Sequence, residues 1–176
     1  MLARRLLAVA VISAAVGAVV PLPAGASAHQ PVRRAALTGP PACIDVSNSR
    51  GNGTLMYLWQ CQSDNTNQKF VFEDGLIKVE DTIGKSQVMC LDASNGRANG
   101  TRVYQWQCVG NANQLWVIQR GLIILKSTLN SGNRICLDVT NGRANGTQVY
   151  LWQCVPNTNQ TFVIDDGQIK VKDTLS

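Results

Sequence analysis

The stretch "YLWQC", residues Tyr57–Cys61, occurs three times in this chain with one change. It returns as "YQWQC" at Tyr104–Cys108 and as "YLWQC" at Tyr150–Cys154. An Asn-Gln pair follows each copy, and the three pairs are Asn67-Gln68, Asn113-Gln114 and Asn159-Gln160. An aromatic residue, a cysteine and two amides in the same order indicate a structural unit that the chain uses three times.

The surrounding sequence repeats as well. The segments "CIDVSNSRGNGT", "CLDASNGRANGT" and "CLDVTNGRANGT" begin at cysteines that are 47 and then 46 residues apart, namely Cys43, Cys90 and Cys136. The one-residue difference lies in the polar stretch between Cys61 and Asn67, which is typical of a loop. We therefore expect one domain over residues 43–176, with repeats at 43–89, 90–135 and 136–176.

Each repeat reads as about four β-strands. Its later half, for example "KFVFEDGLIKVEDT", has two β-branched or aromatic runs around a Gly turn, as in a hairpin. Its earlier half is a second strand pair with an Asn-Gly turn. Three repeats are too few for a propeller, which has about four to eight blades. The prediction is an all-β fold, a β-trefoil with pseudo-threefold symmetry whose repeats share one core.

The first 42 residues differ in composition from the repeats. Residues 1–28 combine a basic start, an apolar run of about 15 residues and small residues near Ala26 and Ala28, which indicates a secretory signal peptide. A retained anchor is the alternative, although the run is shorter than the roughly 20 residues of a membrane span. Residues 29–42 read as a linker or pro-segment and contain His29, the only histidine. We expect a secreted, extracellular protein.

The formal net charge of +5 is concentrated at the N-terminal end. Four of the 16 basic residues lie before residue 43, so the repeats hold 12 basic against 11 acidic residues. No basic stripe remains of the kind that nucleic-acid-binding proteins carry. No later segment is apolar enough to span a membrane.

The six cysteines have the same separation in every repeat. Fifteen pairings are possible, but equal spacing favours one disulfide per repeat. The predicted pairs are Cys43–Cys61, Cys90–Cys108 and Cys136–Cys154. A zinc site is disfavoured because the sequence has no C-x-x-C and no second histidine, and no metal or other cofactor is indicated.

The disulfides suggest which side chains meet. If the two cysteines of a repeat lie opposite each other on antiparallel strands, residues two positions further in also face each other. The carboxylate–indole pairs predicted in this way are Asp45 with Trp59, Asp92 with Trp106 and Asp138 with Trp152. A sugar can stack its C–H face on an indole and donate hydroxyl hydrogens to a carboxylate, while an Asn can both donate and accept. Each repeat is thus expected to form a shallow sugar site.

Each of these residues could also have a purely structural role instead of binding a sugar. The tryptophans could belong to the core, although Leu58 and Leu151 already supply the opposite strand face. The aspartates and the asparagines Asn67, Asn113 and Asn159 could simply form turns. Phe70, Trp116 and Phe162 are expected in the core rather than at a site.

At these residues the chain resembles the ricin-B-type lectins and carbohydrate-binding modules, a β-trefoil family marked by Gln-x-Trp. The complete motif stands at Gln114–Trp116, while the other repeats read "QKF" and "QTF". The resemblance implies that the Asp, the strand Trp and the Asn contact sugar, and that Gln68, Gln114 and Gln160 support the carboxylates. It also implies a preference for galactose-like or xylose-like sugars. Tyr57, Tyr104 and Tyr150 depart from the family pattern, as does Gln105 in place of a core leucine.

The leading functional hypothesis is a non-enzymatic lectin with up to three sites that gains strength through multivalency. A glycosidase is disfavoured, because it needs two carboxylates about 5–9.5 Å apart and the repeated aspartates come one per repeat. A trefoil that binds proteins, as an inhibitor or signalling ligand, and a binding subunit of a separate enzyme or toxin are the alternatives.

Overall fold

The computed structural model describes residues 39–175, so the predicted signal peptide and most of the predicted linker lie outside the described residues. The strands are β1 Ala42–Asp45, β2 Thr54–Leu55, β3 Tyr57–Gln60, β4 Phe70–Glu73, β5 Leu76–Val79, β6 Met89–Asp92, β7 Thr101–Arg102, β8 Tyr104–Gln107, β9 Trp116–Gln119, β10 Leu122–Leu125, β11 Ile135–Asp138, β12 Tyr150–Gln153, β13 Phe162–Asp165 and β14 Gln168–Val171. The helical segments in this range are four 3₁₀ turns, at Thr66–Gln68, Glu80–Thr82, Lys126–Thr128 and Lys172–Thr174. Within residues 39–175, no helix is long and apolar enough to cross a membrane.

The strands form three antiparallel sheets that join neighbouring repeats. Their orders are β13-β14-β1-β3, β2-β8-β6-β5-β4 and β7-β12-β11-β10-β9. The first strand of each repeat pairs with the last strand of the preceding one, and β14 of the third repeat pairs with β1 of the first. The repeats therefore close into a ring, and the predicted all-β trefoil is confirmed.

Three equivalent residues, one from each repeat, form a cycle of backbone hydrogen bonds. Met56 N–H donates to Val103 O at 3.3 Å, Val103 N–H to Val149 O at 3.3 Å, and Val149 N–H to Met56 O at 3.2 Å. The side chains of these three residues are buried in one shared core. The cycle of equivalent hydrogen bonds defines the pseudo-threefold axis of the fold.

The core lies on one face of the strands. Ile44 and Leu58 are fully buried, and the residues that alternate with them point to the other face, as the period of two requires. The predicted core aromatics Phe70, Trp116 and Phe162 are confirmed, at 2%, 3% and 4% exposure. The Trp116 indole N–H donates to Leu91 O, so its single polar atom is satisfied inside the core.

The predicted hairpin turns are present in the later half of each repeat. Two consecutive residues with positive φ form each turn, at Asp74-Gly75, Arg120-Gly121 and Asp166-Gly167. This is the geometry of a type I′ turn, whose twist matches that of the strands. Each turn glycine also accepts a hydrogen bond from the neighbouring repeat, for example from Phe70 N–H to Gly167 O at 2.8 Å. The hairpins therefore help to hold adjacent repeats together.

The three predicted disulfides are confirmed, each with a sequence separation of 18. The predicted strand register is wrong by two residues. Cys43 lies opposite Trp59, and Asp45 lies opposite Tyr57 rather than Trp59. The other repeats share this register, so Asp92 faces Tyr104 and Asp138 faces Tyr150.

The error comes from the position of the second cysteine. Cys61 follows the end of β3, and its backbone N–H donates to Pro41 O beyond the start of β1. The disulfide therefore links diagonal neighbours rather than directly opposed residues. A shift of two residues does not change the strand face. Asp45 and Trp59 consequently stay on the same side of the sheet, as diagonal neighbours.

Candidate functional site

Each repeat places a carboxylate, an indole and an asparagine amide on the face opposite the core. In the first repeat these groups belong to Asp45, Trp59 and Asn67, which we name site 1. They line a hollow of about 440 Å³ together with Ser47, Asn48, Tyr57, Asn65 and Gly146. Site 2, formed by Asp92, Trp106 and Asn113, lines a hollow of about 320 Å³ with Gly53, Ser94, Asn95, Tyr104 and Asn111. Site 3 is the equivalent set of Asp138, Trp152 and Asn159, with the same strand register.

The three tryptophan rings are exposed. Trp59, Trp106 and Trp152 are 43%, 45% and 42% accessible, whereas the core residues beside them are almost fully buried. The alternative that these rings fill the core is therefore excluded. A large exposed indole at the same position of every repeat offers a flat apolar surface to a ligand.

A turn of the neighbouring repeat borders each ring. Gly146 of the third repeat lines the hollow of site 1, and Gly53 of the first repeat lines that of site 2. A Cβ on Gly53 would lie 3.6 Å from Cζ3 of Trp106, and a Cβ on Gly100 would lie 4.0 Å from Cζ3 of Trp152. These glycines have φ of 81° to 86°, which favours glycine. Each site is thus assembled from two repeats.

The aspartates are oriented by two kinds of donor. Oδ1 of Asp45 accepts the Ser47 backbone N–H at 2.7 Å, and Oδ2 accepts Nε2 of Gln68 at 3.1 Å. In site 1 the Asn65 amide adds a longer contact of 3.3 Å. Asp92 and Asp138 make the same two principal bonds, to Ser94 with Gln114 and to Thr140 with Gln160. Because a carboxylate offers about four acceptor positions, each aspartate can still accept further donors.

The glutamines link three parts of the site. Gln68 is fully buried, and its Nε2 donates both to Asp45 and to the Gln60 carbonyl at the end of β3. Its Oε1 accepts the backbone N–H of Gln62, in the loop after the second cysteine. Gln114 and Gln160 are also fully buried and repeat this pattern. The glutamines therefore join the carboxylate, the indole strand and the asparagine loop.

An arginine orients the asparagine in each repeat, and it is not among the site residues predicted from the sequence. Arg50 Nη2 donates to Asn67 Oδ1 at 2.8 Å, and Asn67 Nδ2 donates to Asn48 Oδ1 at 2.8 Å. Since a guanidinium only donates, the amide oxygen must face the arginine and the Asn67 nitrogen must face away from it, toward Asn48. Arg97 and Arg143 hold Asn113 and Asn159 in the same way. The arginine has the same position in "SRGNGT" and in both copies of "GRANGT", and this repetition is the sequence signal that could have identified it.

The sites differ in the residue across the strand from each tyrosine. That residue belongs to the neighbouring repeat and is Gln148 beside Tyr57, Leu55 beside Tyr104 and Arg102 beside Tyr150. Directly opposed residues share a sheet face. An amide, an apolar side chain and a cation therefore border sites 1, 2 and 3 respectively.

Comparison with known proteins places this architecture in a family. The model of the ricin-type β-trefoil lectin domain matches residues 34–128 and 82–174. The chain belongs to this lectin domain family. Carbohydrate binding is the general function that the family supports, and its members are non-enzymatic domains, some of which occur within enzymes. Among curated protein sequences, no significant match to the chain is found.

Two solved structures resemble this lectin domain. The β-trefoil lectin of the Vibrio vulnificus hemolysin/cytolysin, solved with N-acetyl-D-lactosamine bound, aligns with a TM-score of 0.53 at 18% identity. The alignment covers 72% of this chain and 86% of that one. A designed threefold-symmetric protein, ThreeFoil, aligns with a TM-score of 0.49 at 24% identity, over 73% of this chain and 88% of its own. The Vibrio structure supports the trefoil fold.

Proposed function

We propose that the protein is a secreted lectin that binds glycans at three shallow sites, one in each repeat. The proposed sugar contacts are Asp45, Trp59, Asn67, Asp92, Trp106, Asn113, Asp138, Trp152 and Asn159. Gln68, Gln114 and Gln160 support them by holding the carboxylates. The observation that carries the proposal is the exposed indole beside an aspartate with unused acceptor positions, found three times on one fold.

The chemistry of the site matches that of a sugar ring. One face of a pyranose presents C–H groups that pack on the indole, while its hydroxyls donate to the free positions of the carboxylate. The Asn67 nitrogen donates one hydrogen to Asn48, and its second hydrogen donates to a third hydroxyl of the sugar. Such a site works without a metal or cofactor. Galactose-like sugars come first among the ligands to test, followed by xylose-like sugars, and N-acetyl-D-lactosamine is a suitable first probe.

We propose binding without hydrolysis. The hollows of sites 1 and 2 are each lined by a single carboxylate, that of Asp45 and that of Asp92. A glycosidase positions two carboxylates about 5–9.5 Å apart around the bond that it cleaves.

Secretion is supported by two observations. Three disulfides are typical of proteins that mature in an oxidising compartment. The first 28 residues have the composition of a signal peptide.

A glycan array probed with the mature protein tests the proposal. The variant Trp59→Ala/Trp106→Ala/Trp152→Ala should lose glycan binding while it stays folded, because the rings are exposed. The matched control is Ile83→Ala/Ile118→Ala, which removes two side chains of similar exposure, 47% and 44%, outside the sites. Glycan binding that persists in the triple tryptophan variant, or that the control abolishes, would refute the proposed sites.

A further inference from the structure

The arginine that orients the asparagine of each site has a second edge of hydrogen-bond donors, formed by Nε and Nη2. In the first repeat, Arg50 Nε and Nη2 donate to the two carboxylate oxygens of Asp81, each at 2.9 Å. In the third repeat, Arg143 makes the same two-pronged contact with Asp173, at 2.8 Å and 3.0 Å. Both aspartates lie in the 3₁₀ turn that follows the last strand of the repeat. The arginine edge is therefore a preformed carboxylate-binding fork.

The second repeat has the fork but lacks the carboxylate. Ser127 stands at the position of Asp81 and Asp173, in the turn Lys126–Thr128. Arg97 still donates through Nη1 to the Ser94 and Gly96 carbonyls and through Nη2 to Asn113 Oδ1. Its Nε–H and its second Nη2 hydrogen have no partner among residues 39–175. Arg97 also makes no ion pair within this range.

We propose that this open edge of Arg97 binds an anionic group of a glycan held at site 2, a carboxylate or a sulfate ester. The inference rests on the proposed lectin function and extends it, because it makes site 2 selective for acidic glycans. The other two repeats provide the precedent, since each fills the same donor pair with a carboxylate.

The geometry connects the fork to the sugar site. Arg97 Nη2 lies 2.6 Å from Asn113 Oδ1, and Asn113 lines the hollow of site 2. The open edge is thus one side chain away from the bound sugar, within reach of a substituent or of the next residue of the glycan. Lys126 and Ser127 are exposed, so the approach from the turn is open, and Lys126 adds a positive charge.

The surroundings favour an anion at the edge rather than inside the hollow. Asp92 is the negative charge that interacts with Arg97, and its carboxylate lines the hollow. An anion inside the hollow would therefore be repelled by Asp92. Burial lowers the pKa of the Arg97 guanidinium and outweighs the opposite effect of Asp92. A partly desolvated cation of this kind binds an anion more strongly than a fully hydrated one does.

The test uses protein in which only site 2 remains, because Arg102 borders site 3 and could itself attract acidic sugars. In Trp59→Ala/Trp152→Ala protein, a neutral oligosaccharide is compared with the same oligosaccharide carrying a uronate or a sulfate ester. We expect the acidic forms to bind about tenfold more tightly at low ionic strength, which is the effect of a charge-assisted hydrogen-bond pair. Added salt should reduce this preference.

Ser127→Asp in the same background is the deciding variant. It supplies the carboxylate that the other repeats have, so the preference for the acidic glycan should vanish while the affinity for the neutral one stays unchanged. The reciprocal variant, Asp81→Ser in protein that keeps only site 1, should gain the preference. Equal affinity for neutral and acidic glycans, or a preference that survives Ser127→Asp, would overturn the inference.

A further measurement separates this inference from the proposed function. Titration with inorganic sulfate should shift the Arg97 Nε–H NMR resonance in the parent protein and leave it unmoved in Ser127→Asp. This result does not depend on sugar binding. If neutral glycans fail to bind but the sulfate shift is seen, the lectin proposal is wrong and the anion site stands. A resonance that sulfate does not move would refute the anion site on its own.

Discussion

At the scale of single residues, Gln105 is the clearest exception to the threefold pattern. It occupies the core position that holds leucine in the other repeats, at Leu58 and Leu151, and it is fully buried. Its Nε2 donates to the Ser49 carbonyl, but its Oε1 has no partner among the described residues. A buried amide oxygen without a donor lowers the stability of the folded state.

Gln105→Leu should therefore stabilise the protein. We expect the free energy of unfolding to rise by about 1–2 kcal/mol, because the variant removes an unsatisfied oxygen and restores the side chain of the other repeats. The Ser49 carbonyl keeps a donor in Arg50 Nη1 at 3.1 Å. Urea denaturation measures the change, and Leu151→Gln, the reverse substitution in the third repeat, should be destabilising. A Gln105→Leu protein that is less stable than the parent would show that the amide has a favourable role in the core.

At the scale of elements, the repeat pattern predicted which strand face each site residue occupies but not its partner across the strand. The face follows from the period of two, which a shift of two residues leaves intact. The partner depends on the backbone bond of Cys61 to Pro41, which moves the cysteine past the end of β3. Spacing alone does not contain that information. The spacing also does not reveal the contact between Arg50 and Asn67, because the two residues lie 17 positions apart in different loops.

The Asn-Gly turn of each repeat makes a hydrogen bond to the indole-bearing strand of the neighbouring repeat. The Asn side chain of each turn accepts the backbone N–H that follows the site tryptophan of the neighbouring repeat. These bonds run from Gln60 to Asn145 at 2.6 Å, from Gln107 to Asn52 at 2.7 Å and from Gln153 to Asn99 at 2.7 Å. The turns that the sequence predicted as hairpin connections therefore also fix the strand that carries the indole.

Asn145→Ala tests this role. Loss of the hydrogen bond to Gln60 N–H should lower the free energy of unfolding by about 1 kcal/mol. It should also weaken sugar binding at site 1 more than at site 2, because Gln60 adjoins Trp59. Asn130→Ala is the control, since Asn130 is exposed and its side chain makes no hydrogen bond within residues 39–175. NMR titration with a small sugar reads each site separately, and equal weakening at all three sites would contradict a local effect.

At the scale of the whole domain, threefold closure presents the proposed sugar site three times. The strand register, the glutamine bonds and the exposure of the indoles agree between repeats, so the sites are built alike even though their borders differ. A shallow hollow that is open to solvent buries little of a ligand, so we expect each proposed site to be weak by itself. Under the proposed function, the three sites of one trefoil engage a polymer or a cell surface together, which raises the effective concentration for each later contact.

The series Trp59→Ala, Trp59→Ala/Trp106→Ala and the triple variant with Trp152→Ala separates affinity from avidity. The number of small-sugar molecules bound per chain should fall from three to two, one and zero, with the affinity of each remaining site unchanged. Retention on a densely glycosylated surface should fall far more steeply, by about tenfold or more for each lost site, because simultaneous contacts can strengthen binding by about 10²–10⁴. Calorimetry and surface plasmon resonance measure the two quantities. Surface binding that falls only in proportion to the number of sites would show that the sites act independently.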